Sequence, residues 1–121
     1  MAKIISNKPL KKSLNLLNNK FKFEIIYLLS INKLRFGELK DALEVVTQQL
    51  LTKMLRELER DDIIIRNKHD GFPRKVEYSL SVFGRTLRPV VKTIFKWEEK
   101  NLKTINKLIK KKHLDSLYDY Y

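Results

Sequence analysis

The sequence predicts a mainly α-helical fold with one small β-hairpin, and three observations carry that expectation. Three glycines and three prolines interrupt 121 residues, so long stretches are free of helix breakers. Apolar residues recur at helical spacing along most of the chain, but residues 63–66 have strand composition and, beyond an Asp-Gly turn, Val76, Tyr78 and Leu80 alternate with polar residues, as in paired strands. Hydrophobic residues make up 43% of the chain, which is apolar mass enough for a core and argues against intrinsic disorder.

Taken in order, Leu10, Leu14 and Leu17 mark a first amphipathic helix ending near Asn18 and Asn19. Phe21, Phe23, Ile25, Ile26, Leu28 and Leu29 then spread around most of a helix circumference, the pattern of an element buried on several sides. These are the N-terminal helices, residues 8–31. Phe36, Leu39 and Leu43 mark a short third helix, and Glu44, Val45 and Val46 leave room only for a tight turn before the next helix starts at Thr47. Residues 36–60 therefore read as a helix-turn-helix. Residues 63–66 have strand composition, Asp70, Gly71, Phe72 and Pro73 a turn, and Val76, Tyr78 and Leu80 the alternation of a half-buried strand, so residues 63–80 form a hairpin, or wing. Ser81 is an N-cap for one last long helical stretch, residues 81–113, with a kink at Pro89. The expected whole is a single winged helix-turn-helix domain, residues 1–121, whose extra N- and C-terminal helices form a dimer interface.

The helix of residues 47–60 is the most informative. With Gln48 set at roughly 0° and 100° per residue, Thr52 falls near 40°, Arg56 near 80°, Gln49 near 100° and Lys53 near 140°. Leu50, Leu51, Met54, Leu55 and Leu58 occupy roughly 200° to 340°. The leucine face is ordinary core. The other face carries two amides, a hydroxyl and cations, with no acid before Glu57. Glutamine pairs with the N6 and N7 edge of adenine, Thr packs its methyl on thymine, and Lys takes a phosphate or a guanine edge. A recognition helix makes such contacts through its N-terminal residues. Gln and Thr can equally serve only to solubilise a helix; what favours base reading is the neighbouring tight turn, the basic hairpin and the charge of the chain.

That charge is large: 26 Lys and Arg against 14 Asp and Glu give +12, a field that draws polyanions, nucleic acid first and anionic membrane second. Lys68, His69, Arg74 and Lys75 crowd the hairpin tip against Asp70 alone and can follow phosphates or enter a minor groove. Arg35 and Lys40 flank the third helix and can hold the backbone on the other side. Catalysis has little to stand on. The chain has no Cys and two His, and lacks HExxH, GxSxG and any Gly-rich phosphate loop. We expect no enzyme, no cofactor and no metal site, and read His69 as a wing residue. With no secretory leader pattern and no apolar run long enough to span a bilayer, a cytoplasmic location is expected.

Four spaced segments, LRFGELKDAL (34–43), TQQLLTKMLRELERDDII (47–64), KVEYSLSVFGRTL (75–87) and the later Pro89 with Trp97, resemble the HxlR-type winged helix-turn-helix transcriptional regulators of bacteria. The likeness runs from about Pro9 to Trp97. It implies a homodimer paired through its terminal helices, with one winged helix per protomer reading half of a pseudo-palindromic operator, usually to repress nearby genes. In that picture Thr47 caps the recognition helix, Gln48, Gln49, Thr52 and Lys53 look into the major groove, and Lys75 lies on the wing. This chain departs from the family in two places. Lys8 stands where many members have a sensing cysteine before the proline matching Pro9, which removes thiol sensing. Asp62 stands where the family tends to have Gly, and Glu44 and Val45 where it tends to have Gly or Pro, which leaves the turn geometry there open. A small-molecule effector is compatible with the resemblance, but no residue identifies one.

The rival reading comes from the C-terminal lysines, Lys100, Lys103, Lys107, Lys110, Lys111 and Lys112, which oppose a seam of Leu102, Ile105, Leu108 and Ile109. A basic amphipathic helix can lie on a membrane or bind a protein without reading sequence. The seam, however, continues the spacing of the helix before it, lacks a tryptophan at its polar boundary and is narrow enough for a partner's copy to bury, so we expect a dimer helix and no membrane. A winged helix that binds RNA or protein is disfavoured because no exposed aromatic platform is apparent.

Overall fold

The structure is a computed structural model describing residues 16–71 and 75–119. Leu10 and Leu14 of the first predicted helix, Lys8, Pro9 and Arg74 lie outside the described residues. The described residues fall into two compact units, divided after Arg88.

In the first unit, α1 (Lys20–Ile31) starts at Asn19, whose side-chain oxygen accepts the Phe21 N–H at 2.8 Å. It brings Ile25, Ile26 and Leu29 into the core, as its apolar pattern requires. A two-residue strand β1 (Leu34–Arg35) leads into α2 (Phe36–Leu43). Glu44 then turns the chain at φ 47°, Val46 is buried, and α3 (Gln48–Arg60) follows. Thr47 caps α3 as expected: its Oγ1 accepts the Leu50 N–H at 3.1 Å. Leu51, Met54, Leu55 and Leu58 are buried and Leu50 is half-buried, so the leucine face lies where its angles put it.

α3 ends in a Schellman motif. The Ile63 N–H donates to the Leu58 carbonyl at 2.9 Å and the Asp62 N–H to the Glu59 carbonyl at 3.0 Å, while Ile63 and Leu58 are both buried. Asp62 takes the left-handed position at φ 59°, where glycine is usual. Two of the positions at which the chain departs from the resembled family, Glu44 and Asp62, are thus its two non-glycine residues of positive φ among those described.

β2 (Ile64–His69) and β3 (Lys75–Leu80) pair antiparallel, from Ile64 opposite Leu80 to His69 opposite Lys75. The hairpin was expected; the third strand was not. β1 pairs along the other edge of β3, Leu34 opposite Tyr78 and Arg35 opposite Glu77, giving the order β1-β3-β2. A two-residue strand is too short for any period-2 pattern, which is why the sequence does not show it. As the central strand, β3 also lacks a clean alternation: Val76, Glu77 and Tyr78 are all half-buried.

The C-terminal helical stretch over 81–113 is divided, but not by a kink at Pro89. Ser81 is an N-cap, accepting the Gly84 N–H at 2.8 Å, but the helix it starts, α4 (Val82–Arg85), is four residues long. Pro89 does not kink a helix. It is the second residue of α5 (Arg88–Lys100), where the first-turn N–H groups have no intrahelical acceptor and a missing one costs nothing. In the second unit α5 passes through a turn at Asn101 into α6 (Leu102–Asp119). α6 runs beyond residue 113 because neither Gly nor Pro follows Pro89. Val90, Ile94, Trp97, Leu102, Leu108 and Ile109 are exposed along α5 and α6. No helix among the described residues is long and apolar enough to cross a membrane.

Candidate nucleic-acid interface

The site is built on the outward face of α3. Gln48, Gln49 and Arg56 are exposed, and together with half-buried Thr52 they line one shallow surface depression. Their angles, spread over roughly 100° of the helix, already place them on one side. The Thr52 hydroxyl donates back to the Gln48 carbonyl at 2.8 Å. That bond uses its only proton, so Thr52 presents a methyl group and lone pairs outward, which suits a thymine methyl or a base-edge donor and not a base acceptor. Among the described residues, none hydrogen-bonds to the side-chain amides of Gln48 and Gln49. Lys53 is exposed but borders a different hollow, with Asn18, Asn19 and Glu57, and so flanks this face.

A lysine that motif patterns do not single out anchors this helix from behind. Lys22 of α1 is 2% exposed, and its Nζ donates to Glu57 Oε2 at 2.6 Å. Glu57, 24% exposed, is held below its ordinary value, first by the hydrogen bond from Lys22 and then by the positive charge of Lys22, Lys53 and Arg60 against an opposing effect of burial. The signal was present: with Lys22 at roughly 0°, Ile25, Ile26 and Leu29 lie near 300°, 40° and 340°, so the lysine sits mid-face among core positions. The pair ties α1 to α3 at a defined register, because a buried ammonium has to meet its carboxylate.

On the wing, Lys68 and His69 of β2 and Lys75 of β3 are all exposed. His69 Nε2 stands 3.4 Å from Glu77 Oε1, and Arg66 stands 4.0 Å from Glu59 at the end of α3. Both contacts are solvent-exposed and worth little in stability. Arg35 is exposed at the start of α2, where its backbone N–H donates to Glu38 Oε1 at 2.9 Å, and Lys40 is half-buried. The hairpin register thus brings Lys68, His69 and Lys75 to one end of the sheet. Among the described residues no group of three His, Asp or Glu is placed to hold a metal ion.

The chain is similar to known proteins in sequence and in fold. The profile of the HxlR-like helix-turn-helix family matches residues 16–106. The HTH-type transcriptional regulator YdeP of Bacillus subtilis is 43% identical over 100 residues, 83% of this chain and 78% of that protein. YybR of the same organism, also an HTH-type transcriptional regulator, is 41% identical over 93 residues, 77% of this chain and 74% of its own. The solved structure of the redox regulator HypR in its reduced form superposes with a TM-score of 0.76 at 38% identity, covering 82% of this chain and 98% of that one.

Proposed function

This chain belongs to the HxlR-like helix-turn-helix family of transcriptional regulators, and on that premise we propose that it works in the cytoplasm as a homodimeric, sequence-specific binder of double-stranded DNA, a repressor that reads a pseudo-palindromic operator and has no enzymatic activity. The observation that carries the reading is the acid-free, outward N-terminal half of α3, with Gln48, Gln49 and Arg56 exposed over a buried leucine face. Gln48, Gln49 and Thr52 read base edges, Lys53 and Arg56 border them, and Arg35, Lys68, His69 and Lys75, with Arg74, hold phosphates. The exposed row of Val90, Ile94, Trp97, Leu102, Leu108 and Ile109, which a second copy would cover, supports the dimer. Two recognition helices then enter major grooves about one helical turn apart.

Thiol redox sensing is not part of this reading, since these 121 residues contain no Cys. The test begins with selection of genomic fragments by the purified protein, which yields motif and half-site spacing. On the selected operator, Gln49→Ala loses about 1 to 3 kcal/mol and relaxes preference at one base position, whereas Lys75→Ala weakens every sequence alike. Equal behaviour of the two variants refutes the division between readers and holders. The exposed lysines of α6, Lys103, Lys107, Lys110, Lys111 and Lys112, favour one other reading, adsorption to anionic membranes. Pelleting with anionic vesicles at physiological salt, undiminished by loss of Lys68 and Lys75, would establish it in place of the first.

A further inference from the structure

A second concave site lies within the first unit, on the outer face of the sheet. We propose that the cavity where Lys33, Arg85 and Arg88 converge beside the Asn67–Ser79 pair and the exposed side chains of Ile31 and Ile65 binds a small organic anion, a carboxylate with an apolar body.

The cavity has a volume of about 440 Å³, a size typical of small-molecule sites. Three cations reach it from separate segments: Lys33 after α1, Arg85 at the end of α4 and Arg88 at the start of α5. No acidic residue lines it, and none of the three has an ion-pair partner among the described residues. The end of α1 brings roughly half a negative charge, which three full positive charges outweigh.

The polar floor is already arranged. Asn67 Nδ2 donates to Ser79 Oγ at 3.0 Å, and Ser79 is 8% exposed. Because its oxygen accepts from Asn67, the Ser79 hydroxyl keeps its proton to donate, and no described residue takes it. Two guanidinium groups suit a planar carboxylate, which they can grip through paired N–H donors. The apolar wall decides the rest of the ligand. Ile31 and Ile65 are 59% and 41% exposed at the rim, which is wasteful beside a site for a bare ion but useful against a hydrocarbon body. A duplex backbone fits less well, since its phosphates lie on a convex surface. An occupant would rest on both strands of the wing hairpin, so any difference in its affinity for two hairpin positions would alter operator affinity.

The test is a titration of the full-length protein with sodium octanoate, followed through backbone amide chemical shifts in the absence of DNA, so that the outcome is independent of the operator-binding reading. Inorganic phosphate and hexanol supply the charge and the apolar body separately. Saturable shifts are expected at Ile65, Asn67 and Ser79 with octanoate. Binding should be about tenfold weaker in Arg85→Gln and in Arg88→Gln, from the loss of one charge-assisted hydrogen bond. Both side chains are exposed, so both variants should fold. The proposal is overturned if octanoate gives no saturable shift, if its shifts fall only on residues 89–112, if the variants bind it as well as the parent does, or if phosphate alone binds equally tightly. Loss of affinity for random-sequence duplex in both variants, with octanoate binding intact, would assign the arginines to DNA instead.

Discussion

Replacing Gly84 with alanine sets helix propensity against packing, and the structure says that packing wins. Gly84 is the third residue of the four-residue α4, and alanine is about 1 kcal/mol better than glycine inside a helix. A Cβ built on Gly84, however, overlaps the Ile63 carbonyl oxygen and comes within 3.0 Å of the Ile63 carbonyl carbon. Both are backbone atoms that no rotamer change can withdraw. The same carbonyl accepts the Ser81 N–H at 3.0 Å, and the Ser81 hydroxyl, which caps α4, bridges back to the Asp62 and Ile63 carbonyls. Making room therefore opens the junction where the end of α3 meets the end of the hairpin. Overpacking costs typically 1 to 3 kcal/mol, and each lost hydrogen bond about 1 kcal/mol. Against the propensity gain, the net loss is about 2 to 4 kcal/mol. Urea denaturation followed by circular dichroism, at equal protein concentrations, should show it as a lower midpoint with an unchanged slope. Gly37→Ala is the control. Gly37 is the second residue of α2 with nothing within 4 Å of its added methyl, and this variant should gain about 0.4 to 1 kcal/mol. A Gly84→Ala protein as stable as the parent, or two glycine variants that move in the same direction, would refute the reasoning.

Lys22→Ala should cost about 2 to 4 kcal/mol, less than for a fully buried pair because Glu57 retains some water, and a double-mutant cycle with Glu57→Gln should show strong coupling. Because the folded state holds Glu57 below its ordinary value of 4.5, the pair contributes stability that is complete above that pH and is lost as pH falls through the lower folded-state value. In Lys22→Met that acid dependence should shrink, which pH-resolved denaturation would read. Asp62→Gly relieves a left-handed residue at the end of α3 and should stabilise by about 0.5 to 1 kcal/mol in the same melts. Leu55→Ala should cost about 2 to 5 kcal/mol of folding stability through a core cavity and leave operator preference unchanged in a competition assay.

Much of the architecture was legible in the sequence, and the reason is locality. Helix faces follow from spacing within a dozen residues, so the buried leucines and the exposed amides of α3 could be assigned before any fold was known. The caps at Thr47 and Ser81 are set by residues three positions apart, and the hairpin by alternation about one turn. Where a local rule had two outcomes, sequence alone chose badly: a proline early in a helix and a proline within one look alike until the boundary is known, which is how Pro89 came to be expected as a kink.

The chain by itself determined the long helices and the hairpin, which face of α3 is apolar, that its other face carries amides in place of acids, and that no thiol chemistry is available. Tertiary structure alone decided what meets across distance. Lys22 finds Glu57 35 residues away, β1 is a strand only because β3 offers it a free edge, and Ser81 ties the hairpin to the end of α3 across 18 residues. The three cations of the outer cavity, at positions 33, 85 and 88, belong to no common motif. The physical reason is that periodicity reports how a residue is oriented about its own element, whereas a buried charge, a short strand or a cation cluster takes its meaning from groups that only chain folding brings within reach.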